Sequence, residues 1–393
     1  MSEPRGRVND AAFRTKSKRW LAHTSEFVAP LLRTGATLAS RGASSEPSAW
    51  RRGLILAHNH MGDVLYRTCS LQQLADALPE CRWSYLTSPF SAPLLAGNPA
   101  IAEVLPWNAG ENSWELTDGA FGDLRRREFD VVMCTNSLRH YPDLALAVAL
   151  GIPNRVGFAY KGLSGLITRP APISFPSPYP AYFRGLVADV ANCEANWALQ
   201  PRVFPDEGDI VSATTVWREY GFDDRAVVAC SLTTRQASGN WPASHLLAAL
   251  EAARARTDFE VVLCGAAADA AELERAARQL PFSVNVLAGR LGLRAYAAFL
   301  SRCSALLTLD SGPRHLGNAA RIPVLFARNL SHSRIEAGKY NDNEIDLAPA
   351  VEYLSDDEAR RVVSQLPVVD TANALVEVLA AAANRPARAT LKS

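Results

Sequence analysis

The chain has 393 residues, 48% apolar and 21% charged, with 41 Lys and Arg against 40 Asp and Glu for a net charge of +1. That length exceeds one ordinary domain and suits two, each burying its own core. The balanced charge excludes a bulk polyanion binder or an acidic tail protein.

The 7 cysteines, at 69, 81, 134, 193, 230, 264 and 303, are odd in number and never in C-x-x-C spacing. They read as reduced packing residues of a cytosolic protein, not as a disulfide framework or a zinc site. No apolar run approaches the roughly 18–20 residues that span a bilayer, and the N-terminus lacks the pattern of a signal peptide. The expectation is a cytoplasmic protein.

Residues 1–52 form a basic leader with ten Lys/Arg against four acids, including a short amphipathic stretch over 27–32 interrupted by Pro30. Such a leader reads either as a peripheral contact with anionic lipid or as a solvated tail. From Gly53 strand and helix alternate. Leu54–Ala57 is a buried strand, Val64–Leu78 a helix, Trp83–Leu86 and Phe129–Cys134 strands, and Pro142–Leu150 a helix. Between about 160 and 206 prolines 170, 172, 176, 178, 180, 201 and 205 suit a linker or irregular excursion.

The texture then restarts. Strands are expected at Ala226–Cys230, Phe259–Gly265, Ala305–Leu309 and Pro323–Ala327. Helices are expected at Ala243–Ala255, Ala270–Leu280, Leu293–Ser301 and Gly312–Ala320, and a helical tail at about 356–385. Strands separated by helices of this length imply parallel sheets. The expected layout is therefore the leader over 1–52, Rossmann-like domains over 53–200 and 201–345 facing each other across a central cleft, and a tail over 346–393.

Four constellations carry chemistry. Gly62-Asp63 follows the opening strand, preceded by His58, Asn59 and His60. There Asp63 reads as a general base at the carboxyl end of a sheet or as a helix cap. Asp310-Ser311-Gly312-Pro313-Arg314-His315 follows another strand, and its helix start is a ready anion site to which Arg314 and His315, in the first turn, could add charge or donors, with an ordinary capped helix as the alternative. Thr233-Thr234-Arg235, ahead of Trp241-Pro242, offers one fixed cation for phosphate. Asp269, after Gly265, reads as a ribose acceptor or as a cap. His58, His60 and Arg139 are acceptor-side candidates. No P-loop, H-E-x-x-H, G-x-S-x-G or D-x-D pair occurs, so the expected route uses no metal and no cofactor, with protein cations and helix ends carrying the leaving-group charge.

Taken in order, Met61-Gly62-Asp63-Val64-Leu65, Leu95-Ala96-Gly97-Asn98-Pro99, Gly151-Ile152-Pro153-Asn154-Arg155-Val156-Gly157-Phe158, Trp241-Pro242, Leu287-Ala288-Gly289 and Asp310-Ser311-Gly312-Pro313 with His315 and Leu316 resemble glycosyltransferase family 9, the ADP-heptose:lipopolysaccharide heptosyltransferases. The resemblance runs from about 53 to 330. It implies a GT-B fold with the acceptor on the first domain and the nucleotide-sugar, ADP-heptose by family habit, on the second. It implies Asp63 as base, Asp310 as donor-sugar contact, Ser311 and Gly312 as diphosphate contacts, His315 as the motif histidine and Asp269 as ribose contact. The family's usual Lys before Trp-Pro is replaced by Gly239-Asn240, and Arg235 is expected to take over its role. Cys69 stands where the family has proline.

The implied activity is inverting, metal-independent transfer of a sugar to a hydroxyl of a glycan or glycolipid such as lipopolysaccharide core. An epimerase or hydrolase on the same fold, and a non-catalytic nucleotide-sugar binder, remain the alternatives. No nucleic acid partner is expected.

Overall fold

The computed structural model describes residues 36–37, 40, 44, 46–56, 60–107, 118–135, 140–158, 164–234 and 241–383. The chain divides into two compact units, Met1–Leu199 and Gln200–Ser393.

In the first unit β1 (Arg52–Leu56), β2 (Arg82–Thr87), β3 (Glu103–Pro106), β4 (Val131–Cys134), β5 (Asn154–Phe158) and β6 (Arg169–Ala171) form one sheet in the order β3-β2-β1-β4-β5-β6. All five neighbour pairs are parallel. The helices are α1 (Met61–Arg67), α2 (Leu71–Ala77), α3 (Asp118–Arg126), α4 (His140–Ala149) and α5 (Tyr179–Ala191).

The second unit repeats the plan. Its strands β7 (Val227–Ser231), β8 (Glu260–Gly265), β9 (Asn285–Ala288), β10 (Ala305–Leu309), β11 (Val324–Ala327) and β12 (Glu344–Asp346) run β12-β11-β10-β7-β8-β9, again all parallel. Its helices are α6 (Glu207–Glu219), α7 (Ala243–Arg254), α8 (Ala270–Ala277), α9 (Leu293–Leu300), α10 (Gly312–Ala319), α11 (Asp356–Ser364) and α12 (Val368–Ala383). The fold is α/β with two Rossmann-like units, as the alternation of strand and helix implied.

Strands β4, β7, β10 and β11 are buried along their whole length, the signature of a parallel sheet covered on both faces. Each sheet has the 3-2-1-4-5-6 order, so strand order reverses once, between β1 and β4 and between β7 and β10. In open α/β sheets ligands bind outside the carboxyl ends of the strands at such a reversal. The topology therefore nominates two loop clusters before any side chain is considered.

Gly53 and Gly289 are among the glycines that close approach requires. A Cβ on Gly53 would lie 2.3 Å from the Trp83 ring, and one on Gly289, at φ +64, would lie 2.4 Å from Ala267 Cβ. The Arg155 motif residue is structural as well. It is 1% exposed, and its guanidinium donates to the carbonyls of Leu166 (2.6 Å), Ile152 (2.6 Å) and Ala36 (3.1 Å) and to Ser40 Oγ (2.8 Å). It thereby ties the described end of the leader to β5. The 27–32 stretch lies outside the described residues.

Three expectations need correction. The single helix over 64–78 is two, α1 and α2, because Thr68 Oγ1 donates back to the Leu65 carbonyl (2.5 Å) and the chain tightens through Ser70 N to Arg67 O (3.1 Å). The proline-rich excursion holds a strand and a 13-residue helix. Pro170 sits in edge strand β6, where a missing donor is tolerated, and Pro180 sits in the first turn of α5. Helix α6 was not expected at all, although Asp206 and Asp209 form a reciprocal capping box at its start.

The C-terminal helices are built into the second unit. Ala359, Val363, Ala372, Leu375, Val378 and Leu379 join the core cluster that contains β7 and β8 side chains. All seven cysteines are free thiols, six of them buried. No single helix among the described residues is long and apolar enough to cross a membrane.

Candidate active site

The first cluster is built on α1, which starts after β1 with His60 as its N-cap. Asp63 is the third residue of that helix, not its cap, so the cap reading is set aside. Its side chain is 25% exposed. The Tyr66 hydroxyl donates to Asp63 Oδ1, and the Arg67 guanidinium lies 3.8 Å from the same oxygen.

Arg67 is itself 1% exposed. It donates to Thr135 Oγ1 (2.5 Å), to the Thr135 carbonyl (3.3 Å) and to the Asp63 carbonyl. Thr135 follows β4 and donates to the Leu56 carbonyl at the end of β1 (2.8 Å). Parallel pairing of Leu56 with Cys134 sets these ends side by side. The Asp63 network thus straddles the reversal point of the first sheet. Burial first, and then the Asp63 carboxylate, hold the Tyr66 phenol well above its usual range, so it stays a protonated donor. His60 is exposed at the same helix start. His58 and Arg139 lie outside the described residues.

The second cluster follows from strand register. Thr308 pairs with Ser231, and Cys230 pairs with Leu263. Extending each strand by a few residues brings Asp310, Thr233 and Ala266 to one edge. Asp269 Oδ2 accepts from Thr233 Oγ1 (3.0 Å) and from the Ala266 N–H (2.9 Å), stapling the β7 and β8 loops together. Thr234 is half-buried on the same loop. Arg235 lies outside the described residues.

Ser311 is the N-cap of α10 with an extended backbone, and its hydroxyl is not used as a cap. The Ser311-Gly312 helix start therefore presents backbone N–H groups and the positive end of the helix dipole to an incoming anion. The motif histidine is fixed by its neighbour. His315 Nδ1 lies 2.8 Å from the Tyr340 hydroxyl, the rings stack with centroids 5.6 Å apart, and Asn318 Nδ2 lies 3.0 Å from the same hydroxyl.

Arg314 corrects the sequence reading, which offered it as a charge for the ligand. It is 1% exposed and all five of its N–H groups are used. Nε and Nη2 grip Glu344 bidentately at 2.5 and 3.0 Å. The remaining donors meet Asp310 Oδ1 (2.9 Å) and the carbonyls of Ala337 (2.7 Å) and Gly338 (2.6 Å). Burial alone would lower this guanidinium, but the Glu344 and Asp310 carboxylates override it and hold it charged. Arg314 is a strut that aims Asp310, whose other oxygen lies 4.0 Å from His332 Nδ1.

Sequence reasoning missed Arg67, Tyr66, Thr135, Tyr340, Glu344 and His332. Only Tyr66 and Arg67 carried a local signal, three and four residues after Asp63 on a helix. Among the described residues no group of three or more His, Cys, Asp or Glu side chains comes together as a metal site would require.

Known proteins share this arrangement of strands. The model of glycosyltransferase family 9 (heptosyltransferase) matches residues 121–327. A lipooligosaccharide heptosyltransferase 2 of Haemophilus influenzae is 24% identical over 288 residues, covering 69% of this chain and 81% of that protein. Among solved structures, a family-9 glycosyl transferase of Veillonella parvula superposes with a TM-score of 0.71 at 17% identity, over 86% of this chain and 99% of that one. The E. coli ADP-heptose lipopolysaccharide heptosyltransferase II does so with a TM-score of 0.65 at 17% identity, over 84% and 99%. With the family model spanning more than half of its residues, the chain belongs to glycosyltransferase family 9, the heptosyltransferases of GT-B fold.

Proposed function

We propose that this glycosyltransferase moves a heptose from ADP-heptose to a hydroxyl of a lipopolysaccharide-core type acceptor, by a single inverting displacement without a metal. The observation that carries the reading is the Asp63 carboxylate, gripped on one oxygen at the reversal point of the first sheet. In the proposed step an acceptor hydroxyl oxygen bonds to the anomeric carbon while the bond from that carbon to the diphosphate oxygen breaks. The hydroxyl proton passes to Asp63, and ADP carries the bonding pair away.

On the donor side Ser311 and Gly312 N–H groups take the diphosphate charge, His315 lies on the same helix, and Arg235 is the proposed substitute for the family's lysine. Asp310 contacts the sugar, and Thr234 and Asp269 lie on the nucleoside side. His58, His60 and Arg139 remain the candidates for binding the acceptor. Donor and acceptor classes come from the relatives' names, which specify ADP-heptose and lipooligosaccharide or lipopolysaccharide. A glycolipid acceptor also suits a cytoplasmic enzyme that touches the inner face of the membrane through its basic leader.

The test is a thermal-shift comparison of ADP-heptose with UDP-, GDP- and dTDP-sugars. At a hundred times its dissociation constant a ligand adds about 2.7 kcal/mol to the native state. ADP-heptose is expected to raise the melting temperature by several degrees and the others by little. A larger shift with a different nucleotide-sugar would overturn the donor assignment.

A further inference from the structure

Asp63 alone would be a poorly aimed base. It stands on a seven-residue helix, and an aspartate there has several staggered rotamers to choose from. Two side chains on the same helix face limit that choice, Tyr66 at i+3 and Arg67 at i+4. Both reach Oδ1, and Oδ2 takes no hydrogen bond from the described residues.

Neither partner is loosely held. The guanidinium of Arg67 is anchored behind Asp63 by Thr135 and by the Asp63 carbonyl, and it lies 5.0 Å from the Tyr66 ring centroid. Tyr66 also stacks against Tyr179 of α5, with centroids 6.3 Å apart and planes 18° from parallel. The arrangement therefore spans α1, α5 and the β1–β4 reversal point. A helix stabilised merely by an i,i+4 pair needs no such anchoring, because exposed pairs of that kind contribute little.

We propose that Tyr66 and Arg67 are positioning residues that fix the Asp63 carboxylate by its Oδ1, so that Oδ2 is the oxygen that receives the acceptor proton. The proposal rests on Asp63 being the base. It predicts a loss confined to turnover, because both residues act through the Asp63 carboxylate.

The test measures kcat and both KM values for heptose transfer from ADP-heptose to a lipopolysaccharide-core acceptor. The proteins are wild type, Tyr66→Phe, Arg67→Lys, Arg67→Met, Asp63→Asn and the Tyr66→Phe/Asp63→Asn double variant. Tyr66→Phe should lower kcat roughly 10- to 100-fold, the range for a hydrogen bond to a charged group, with both KM values within about twofold. Arg67→Met should lose more, and Arg67→Lys should recover part of that loss. Because Tyr66 acts through Asp63, the double variant should be no slower than Asp63→Asn alone.

Unchanged kcat in Tyr66→Phe, a loss expressed only in KM, or a double variant that multiplies the two losses overturns the positioning role. In each of those cases an impaired Asp63→Asn leaves the base assignment standing. A fully active Asp63→Asn removes the base assignment, and the proposal with it.

Discussion

Asp63→Asn is expected to reduce turnover by about 10²- to 10⁴-fold, the range for losing a general base, while leaving the fold intact. The change is isosteric. The amide oxygen still accepts from Tyr66, and Arg67 keeps Thr135 and the backbone carbonyl of residue 63 as partners. Donor binding should be unaffected, because the diphosphate contacts proposed at Ser311 and Gly312 belong to the other unit. Steady-state kinetics with ADP-heptose, together with a melting curve, read both quantities. Full activity in this variant would mean that another group takes the proton.

The second large effect is on stability. Arg314→Met should destabilise the second unit by about 3–5 kcal/mol, the cost of removing one partner from a buried ion pair. Glu344 is 1% exposed and would keep only the Asn318 amide (2.7 Å) and the Tyr340 N–H (2.9 Å). For a unit of this size a loss of that order lowers the melting point by roughly 6–20 °C. Asp310 would also lose its 2.9 Å partner, so donor affinity should fall with stability.

The same pair sets a pH dependence. Burial by itself would raise the Glu344 carboxyl, but Arg314 overrides it and holds the group below its usual range. A depressed carboxyl contributes stability above its unfolded-state pKa of about 4.3, and that contribution disappears as pH falls through the lower folded value. Acid unfolding of wild type should therefore be steeper below about pH 4.3 than in Glu344→Gln, which carries no titrating group at that position. Parallel acid-stability curves for the two proteins would contradict this account of the pair.

The sheets were legible because they are fully covered. Apolar runs such as Val131–Cys134 and Leu306–Leu309 are buried on both faces, and a run of that kind reads as a strand without knowledge of its neighbours. Short edge strands were not legible, since three residues such as Arg169–Ala171 carry too little periodicity, and Pro170 argues against a strand unless the edge position is known. Helix α5 was hidden in the same way, by reading proline density without asking whether Pro180 falls in a first turn.

At the candidate site the sequence nominated residues at strand-to-helix turns, while Tyr66 and Arg67, three and four residues beyond Asp63, and the partners recruited through space were missed. Asp63 and the 310–315 run sit at strand-to-helix turns whose position is local information. Glu344 reaches Arg314 across thirty residues, and Thr135 reaches Arg67 across sixty-eight. Neither pairing leaves a mark at any spacing a single sequence reveals. The misreading of Arg314 follows from that gap. A cation beside a phosphate-binding turn reads as a ligand until its five donors are seen to be occupied.

The most direct measurement is the anomeric configuration of the product, read by proton and carbon NMR of an acceptor incubated with enzyme and ADP-heptose. A single displacement assisted by Asp63 predicts heptose joined to an acceptor hydroxyl with the anomeric configuration opposite to that of the donor, one ADP appearing for each sugar transferred. Retained configuration, or free heptose with an unmodified acceptor, would contradict it.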